Sequence, residues 1–84
     1  MSDTIKMYGA MWCPDCAIAK QVFAHIGLSY EWIDISNDNE SAAYVERING
    51  GNRSVPTIIF PDGSVLTEPS KATLQAKLDD LNRC

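Results

Sequence analysis

Apolar and polar positions recur along this chain with two different periods, and the switches between them predict seven elements. Residues 4–8 (TIKMY) form a short β-leaning run. From Pro14 to about Ile26 the apolar residues Ile18, Val22, Phe23 and Ile26 return at helical spacing, and Gly27 follows as a stop. Residues 30–35 (YEWIDI) alternate, with Tyr30, Trp32 and Asp34 on one side and Glu31, Ile33 and Ile35 on the other, so they read as a strand. A second helix is expected from about Asn37, where Asn37 and Glu40 have the spacing of a capping box, to Gly50–Gly51. Residues 56–60 (PTIIF) and 64–67 (SVLT) are strands joined by the turn Pro61-Asp62-Gly63. Ser70 caps a last helix with Leu74, Leu78 and Leu81 on one face.

The order is therefore β-α-β-α-β-β-α. The first βαβ unit favours parallel strands with a right-handed crossover, and the hairpin adds an antiparallel pair. An α/β fold follows, with a four-stranded mixed sheet covered by three helices. Neither a repeat nor a linker interrupts the 84 residues, which make one domain, 1–84.

Composition narrows the function classes. The chain is 45% apolar and 21% charged, as globular proteins are. A net charge of -4, with no cluster of lysine and arginine, argues against a nucleic-acid partner. No stretch approaches the ~18 apolar residues of a membrane span. No secretory signal pattern opens the chain, so a cytoplasmic location is expected. The cysteines are Cys13, Cys16 and Cys84, too few and too uneven in number for a secreted disulfide framework. Cys84, at the last position, reads as incidental.

The stretch Met11–Cys16 (MWCPDC) carries the candidate chemistry. Cys13 follows the first strand, and Pro14 suits the first helical position, where its missing N–H would be unpaired anyway. Cys13 thus falls at the helix N-cap, facing free N–H groups and the positive end of the helix dipole. A thiolate is stabilised there, and the thiolate is the nucleophile. The helix end supplies only about 0.3–1 kcal/mol, up to ~2 in favourable geometry, and Asp15 opposes it by repulsion. Cys16, one turn on, lies on the same side and deeper, which suits a resolving cysteine. Zinc would want four ligands. His25 is half a turn off on the same helix and no second close cysteine pair exists, so no metal is expected within one chain. A cluster shared between two chains through Cys13 stays open.

The segments MYGAMWCPDC (7–16), NRSVPT (52–57) and PDGSVLTEPS (61–70), in this order, resemble the glutaredoxin branch of the thioredoxin-fold family, and most of all the actinobacterial mycoredoxins. The resemblance spans nearly the whole chain. It implies a thioredoxin-like fold and a cis peptide between Val55 and Pro56, where strand pattern alone would make Pro56 an ordinary strand-start proline. Such a bond would turn the Val55 backbone toward an extended substrate.

The likeness further implies a thiol–disulfide oxidoreductase. Cys13 would attack a mixed disulfide between a low-molecular-weight thiol and a protein, and a second small thiol or Cys16 would resolve it. It makes Arg53 a holder of a substrate carboxylate, against a plain reading as a solvated loop arginine. Trp12 either shapes substrate approach or simply packs. Ser70, at a helix N-terminus, is a candidate anion contact that Glu68 weakens. No resident cofactor is implied; the small thiol is a co-substrate. The expected partners are that thiol and S-thiolated or disulfide-bonded proteins, met by a monomer.

Three departures bear on which thiol is used. Ala10 stands where glutathione-using members commonly have lysine, Asp15 where tyrosine is frequent, and Thr67–Lys71 where a Gly-Gly and an acidic pair are usual. A sugar-linked thiol such as mycothiol is therefore favoured over glutathione. Two alternatives remain at this stage. One is a redoxin recharged by a flavoprotein reductase, which the lack of a Trp-Ser-Gly-Phe run before the last helix disfavours. The other is an iron–sulfur cluster or metal carrier using Cys13.

Overall fold

In the computed structural model, which describes residues 4–82, four strands and three helices follow one another in the expected order. They are β1 (Lys6–Gly9), α1 (Pro14–Ile26), β2 (Glu31–Asp34), α2 (Asn39–Ile48), β3 (Thr57–Ile59), β4 (Val65–Thr67) and α3 (Lys71–Asn82). The strands make one mixed sheet in the order β2-β1-β3-β4, with β1 and β2 parallel and the other two pairings antiparallel. Met7 is the register centre, opposite Trp32 on one side and Ile58 on the other.

Each face of the sheet is covered by helix. Val22 and Phe23 of α1 and Leu74 and Leu78 of α3 close over Met7 and Ile58 to make one core cluster. Ala42 and Val45 of α2 pack with Tyr8, Ile35 and Val55 on the opposite face. Strand alternation divides β2 between them: Tyr30 and Trp32 pack against the first cluster, Ile33 and Ile35 against the second. Trp32 is large enough to reach both.

Turn chemistry places the element ends. Gly27 is left-handed, with φ 86°, and its N–H bonds the Phe23 carbonyl to close α1. In the hairpin, the Asp62 carboxylate accepts from the Ser64 N–H and hydroxyl, and Gly63 supplies a φ of 88°.

Two expectations are corrected. Asn37 does not cap α2. Residues Ile35–Asn37 form one turn of 3-10 helix, and Asp38 is the N-cap, its carboxylate accepting from the Glu40 N–H and the Ser41 hydroxyl. Asn37 instead donates to Asp34, because the Asp34 side chain organises the tighter turn. Ile18, expected in the core by its spacing, is 43% exposed. The inner face of α1 runs through Cys16, Ala19, Val22 and Phe23, and Ile18 faces a hollow between α1 and α3.

Candidate active site

Cys13 is the N-cap of α1, with extended φ and ψ (-85°, 117°) and Pro14 as the first helical residue. Its side chain caps no N–H of the helix. Its thiol instead donates to the Val55 carbonyl, with Sγ 3.7 Å from the oxygen. Val55 and Pro56 are joined by a cis peptide bond, as the resemblance implies. The sheet thus brings together, across 42 residues of sequence, the thiol after β1 and the backbone before β3.

Cys13 is nearly covered, at 7% exposed, while Met11 and Trp12 stand out at 73% and 75%. Trp12 therefore does not act as a packing tryptophan; it stands exposed next to Cys13 in the chain. Cys16 lies beneath, at 1% exposed. Burial pushes the Cys16 thiol up to about 11, with its hydrogen bond to Cys13 and that neighbour's charge adding to the rise, and a backbone hydrogen bond with Ala10 opposing it. The two cysteines are free thiols. Both are buried, Cys13 the less deeply, and the Cys16 thiol below it is held protonated at neutral pH.

Residues that the sequence did not single out enclose Cys16. Gly9 ends β1 between Trp32 and Cys16, so that a methyl group there would stand 2.6 Å from Trp32 Cη2 and 2.7 Å from Cys16 Sγ. Lys20, one turn after Cys16, sits over the outer face of the Trp32 ring, 3.7 Å from its centre.

The remaining candidates surround this centre. Arg53, two residues before Val55, is exposed and its Nε is ion-paired with Glu46 Oε1 of α2. Ser70 spends its side chain on its own helix, accepting from the Thr73 N–H at 3.1 Å and donating to the Thr73 hydroxyl. It also borders a hollow of about 280 Å³ with Asp15, Ile18 and Lys71. Cys84 lies outside the described residues. Among the described residues no group of three or more His, Cys, Asp or Glu is placed to hold a metal ion. Among the same residues no helix is long and apolar enough to cross a membrane.

Comparison with known proteins agrees with this geometry. The glutaredoxin family profile matches residues 5–65. A glutaredoxin-like protein of Mycobacterium tuberculosis is 39% identical over 74 residues, 88% of each chain. Mycoredoxin 1 of Corynebacterium glutamicum is 35% identical over 77 residues, covering 92% of this chain and 95% of its own. The solution structure of a glutaredoxin from Brucella melitensis superposes with a TM-score of 0.70 at 27% identity, over 95% of this chain and 85% of that one. The chain belongs to the glutaredoxin family, and so to the thiol–disulfide oxidoreductases with a thioredoxin-like fold.

Proposed function

We propose that the chain reduces mixed disulfides between proteins and a low-molecular-weight thiol through the Cys13-Pro14-Asp15-Cys16 site, with mycothiol ahead of glutathione as that thiol. The observation that carries this reading is the pairing of Cys13, at a helix start and against the Val55 carbonyl, with a buried Cys16 beneath it.

The Cys13 thiolate attacks the small-thiol sulfur of the mixed disulfide. A bond forms between Cys13 and the small thiol, the old S–S bond breaks, and the protein thiolate leaves and takes up a proton. A second small thiol then attacks the mixed disulfide on Cys13 and departs as the small-molecule disulfide, leaving Cys13 reduced. Alternatively, Cys16 loses its proton and displaces the small thiol, closing a Cys13–Cys16 disulfide that a later reductant must open. Burial, the largest cause of the raised Cys16 thiol in the reduced protein, does not depend on a free Cys13, and a buried thiol kept protonated favours the first route.

The exposed ring of Trp12 offers an apolar surface beside the attacked bond, and the backbone at Val55 and Pro56 offers an edge to an extended substrate. Preference for mycothiol is supported by the sequence positions of Ala10 and Asp15, where glutathione users commonly have lysine and tyrosine, and by the likeness to mycoredoxin 1. The same proposal has the chain working as a monomer in the cytoplasm, where thiols are kept reduced, with no resident cofactor.

Turnover by the Cys16→Ser variant tests it. Faster reduction of a mycothiol-mixed than of a glutathione-mixed disulfide is expected. Preference for glutathione would place the chain with ordinary glutaredoxins. Turnover of neither, with wild-type activity kept on a protein disulfide, would point to a two-cysteine redoxin fed by a reductase.

A further inference from the structure

The partner of Arg53 changes what the site offers an incoming thiol. Arg53 is the only charged residue between Asn49 and Pro56. It precedes Val55 by two residues, so at most about 7 Å of backbone separates it from the carbonyl that holds the Cys13 thiol. Left alone, this exposed guanidinium would attract any carboxylate brought to Cys13. It is not left alone, because Glu46 binds its Nε. The loop is built to keep the two together: the Glu46 carbonyl accepts the Gly51 N–H at 2.7 Å, and Gly50 and Gly51 take positive φ to bring the chain back past the end of α2. Elsewhere at the entrance Met11 and Trp12 are exposed and carry no charge, and Asp15 carries a negative one; of the nearby cations, Lys20 is drawn over the Trp32 ring and Lys71 lines the hollow beside Asp15.

We infer that Glu46 is a specificity-determining residue, which by neutralising Arg53 makes the Cys13 site favour a small thiol without carboxylates over an anionic one. The inference rests on the use of low-molecular-weight thiols proposed above and gives that co-substrate its charge class. The Nη groups of Arg53 stay open to a carboxylate substrate, but that carboxylate meets a guanidinium whose charge Glu46 already offsets and must lie near the Glu46 carboxylate, whereas an uncharged, hydroxyl-rich thiol loses nothing by the pairing. An exposed ion pair is worth about 0–1 kcal/mol, so the discrimination it exerts is at most roughly fivefold. Salt screens it.

The test compares glutathione with its diester, which share a skeleton and differ in carboxylate charge. Each is presented as a mixed disulfide on the same peptide to the Cys16→Ser protein, and the ratio of the two rates (acid over diester) is read. Glu46→Gln is expected to raise that ratio about three- to fivefold at low salt, with the gain shrinking at high salt. Adding Arg53→Gln to Glu46→Gln should abolish the gain. An unchanged ratio in Glu46→Gln overturns the inference. So does a gain that survives without Arg53, since Glu46 would then act by direct repulsion. Glu46→Ala repeats the comparison if the glutamine variant folds poorly, with thermal unfolding followed for each. Turnover of neither substrate by the parent protein is a separate outcome; it removes the small-thiol reading itself and this inference with it.

Discussion

A side chain at position 9 would have nowhere to go. The added carbon of Gly9→Ala would lie well inside contact distance of both the Trp32 ring and Cys16 Sγ. Trp32 cannot swing freely away, because it packs against both core clusters and carries Lys20 on its outer face. Overpacking of this kind typically costs about 1–3 kcal/mol, so urea unfolding of Gly9→Ala should show a clearly lower midpoint; an unchanged one would mean that the indole relaxes at no cost. The Cys16 thiol beneath gives a second test, through pH. Its ordinary value of 9.0 is raised to about 11 by burial, then by its hydrogen bond to Cys13. A thiol raised in the folded state contributes stability that is complete below about pH 9 and is lost as pH climbs toward about 11, because the unfolded chain ionises first. Burial also raises the tyrosines Tyr8 and Tyr30, so the alkaline loss has more than one source. Cys16→Ser isolates the thiol: between about pH 8 and about pH 10.5 it should lose less stability than the parent in urea melts. Equal losses would remove Cys16 from the account.

Elements end where side chains satisfy their free backbone groups. At the start of α3 the Ser70 hydroxyl accepts from the Thr73 N–H, and Ser70→Ala should cost about 1 kcal/mol by calorimetry, as N-cap removals do. Because that hydroxyl is already bound to its own helix, a substrate contact at Ser70 would have to share it. This cap was legible in the sequence, as were the Gly27 stop and the Asp62–Gly63 turn, since each uses a residue whose local chemistry fits one role. The start of α2 was not. Asn37, Asp38 and Asn39 are all good capping residues, and choosing among them depends on Asp34 winding Ile35–Asn37 into a 3-10 turn first. Periodicity likewise counted Ile18 as core, because an apolar residue beside a gap between helices has the same spacing as one beneath a helix. Of the site, Cys13, Cys16 and Pro56 were legible by position and resemblance. Gly9, Lys20 and Glu46 were not, because each matters through a neighbour brought near by the fold and not by the local sequence.

Across the whole molecule, the distance between Cys13 and the loop that faces it is set by parts far apart in the chain. Cys13 leaves β1, whereas Val55 enters β3, and the antiparallel pairing of Tyr8 with Thr57 brings them level. What steadies the loop is a chain of polar contacts centred on Asn49, just after α2. Its amide donates to the Val45 carbonyl and to the Thr57 hydroxyl, and its oxygen accepts from the Thr67 hydroxyl of β4. Thr57, fully buried, passes the connection on by donating to the Ser54 carbonyl at 2.7 Å. One side chain thereby ties α2, β3, β4 and the loop carrying Val55 to each other. Thr57→Val keeps the shape and deletes the hydroxyl, leaving Asn49 one acceptor short and the Ser54 carbonyl without this donor. A buried polar group left unpaired costs about 1–3 kcal/mol, which sets the expected loss in urea unfolding. Thr67→Val removes an exposed partner that water can replace, so its loss should be smaller. If the network holds the loop against the thiol, Thr57→Val should also change the rate of Cys13 alkylation, measured under conditions where the variant is still folded, while Thr67→Val leaves it near the parent value. Equal alkylation in both variants would limit the network to stability and leave the sheet register alone in charge of the site.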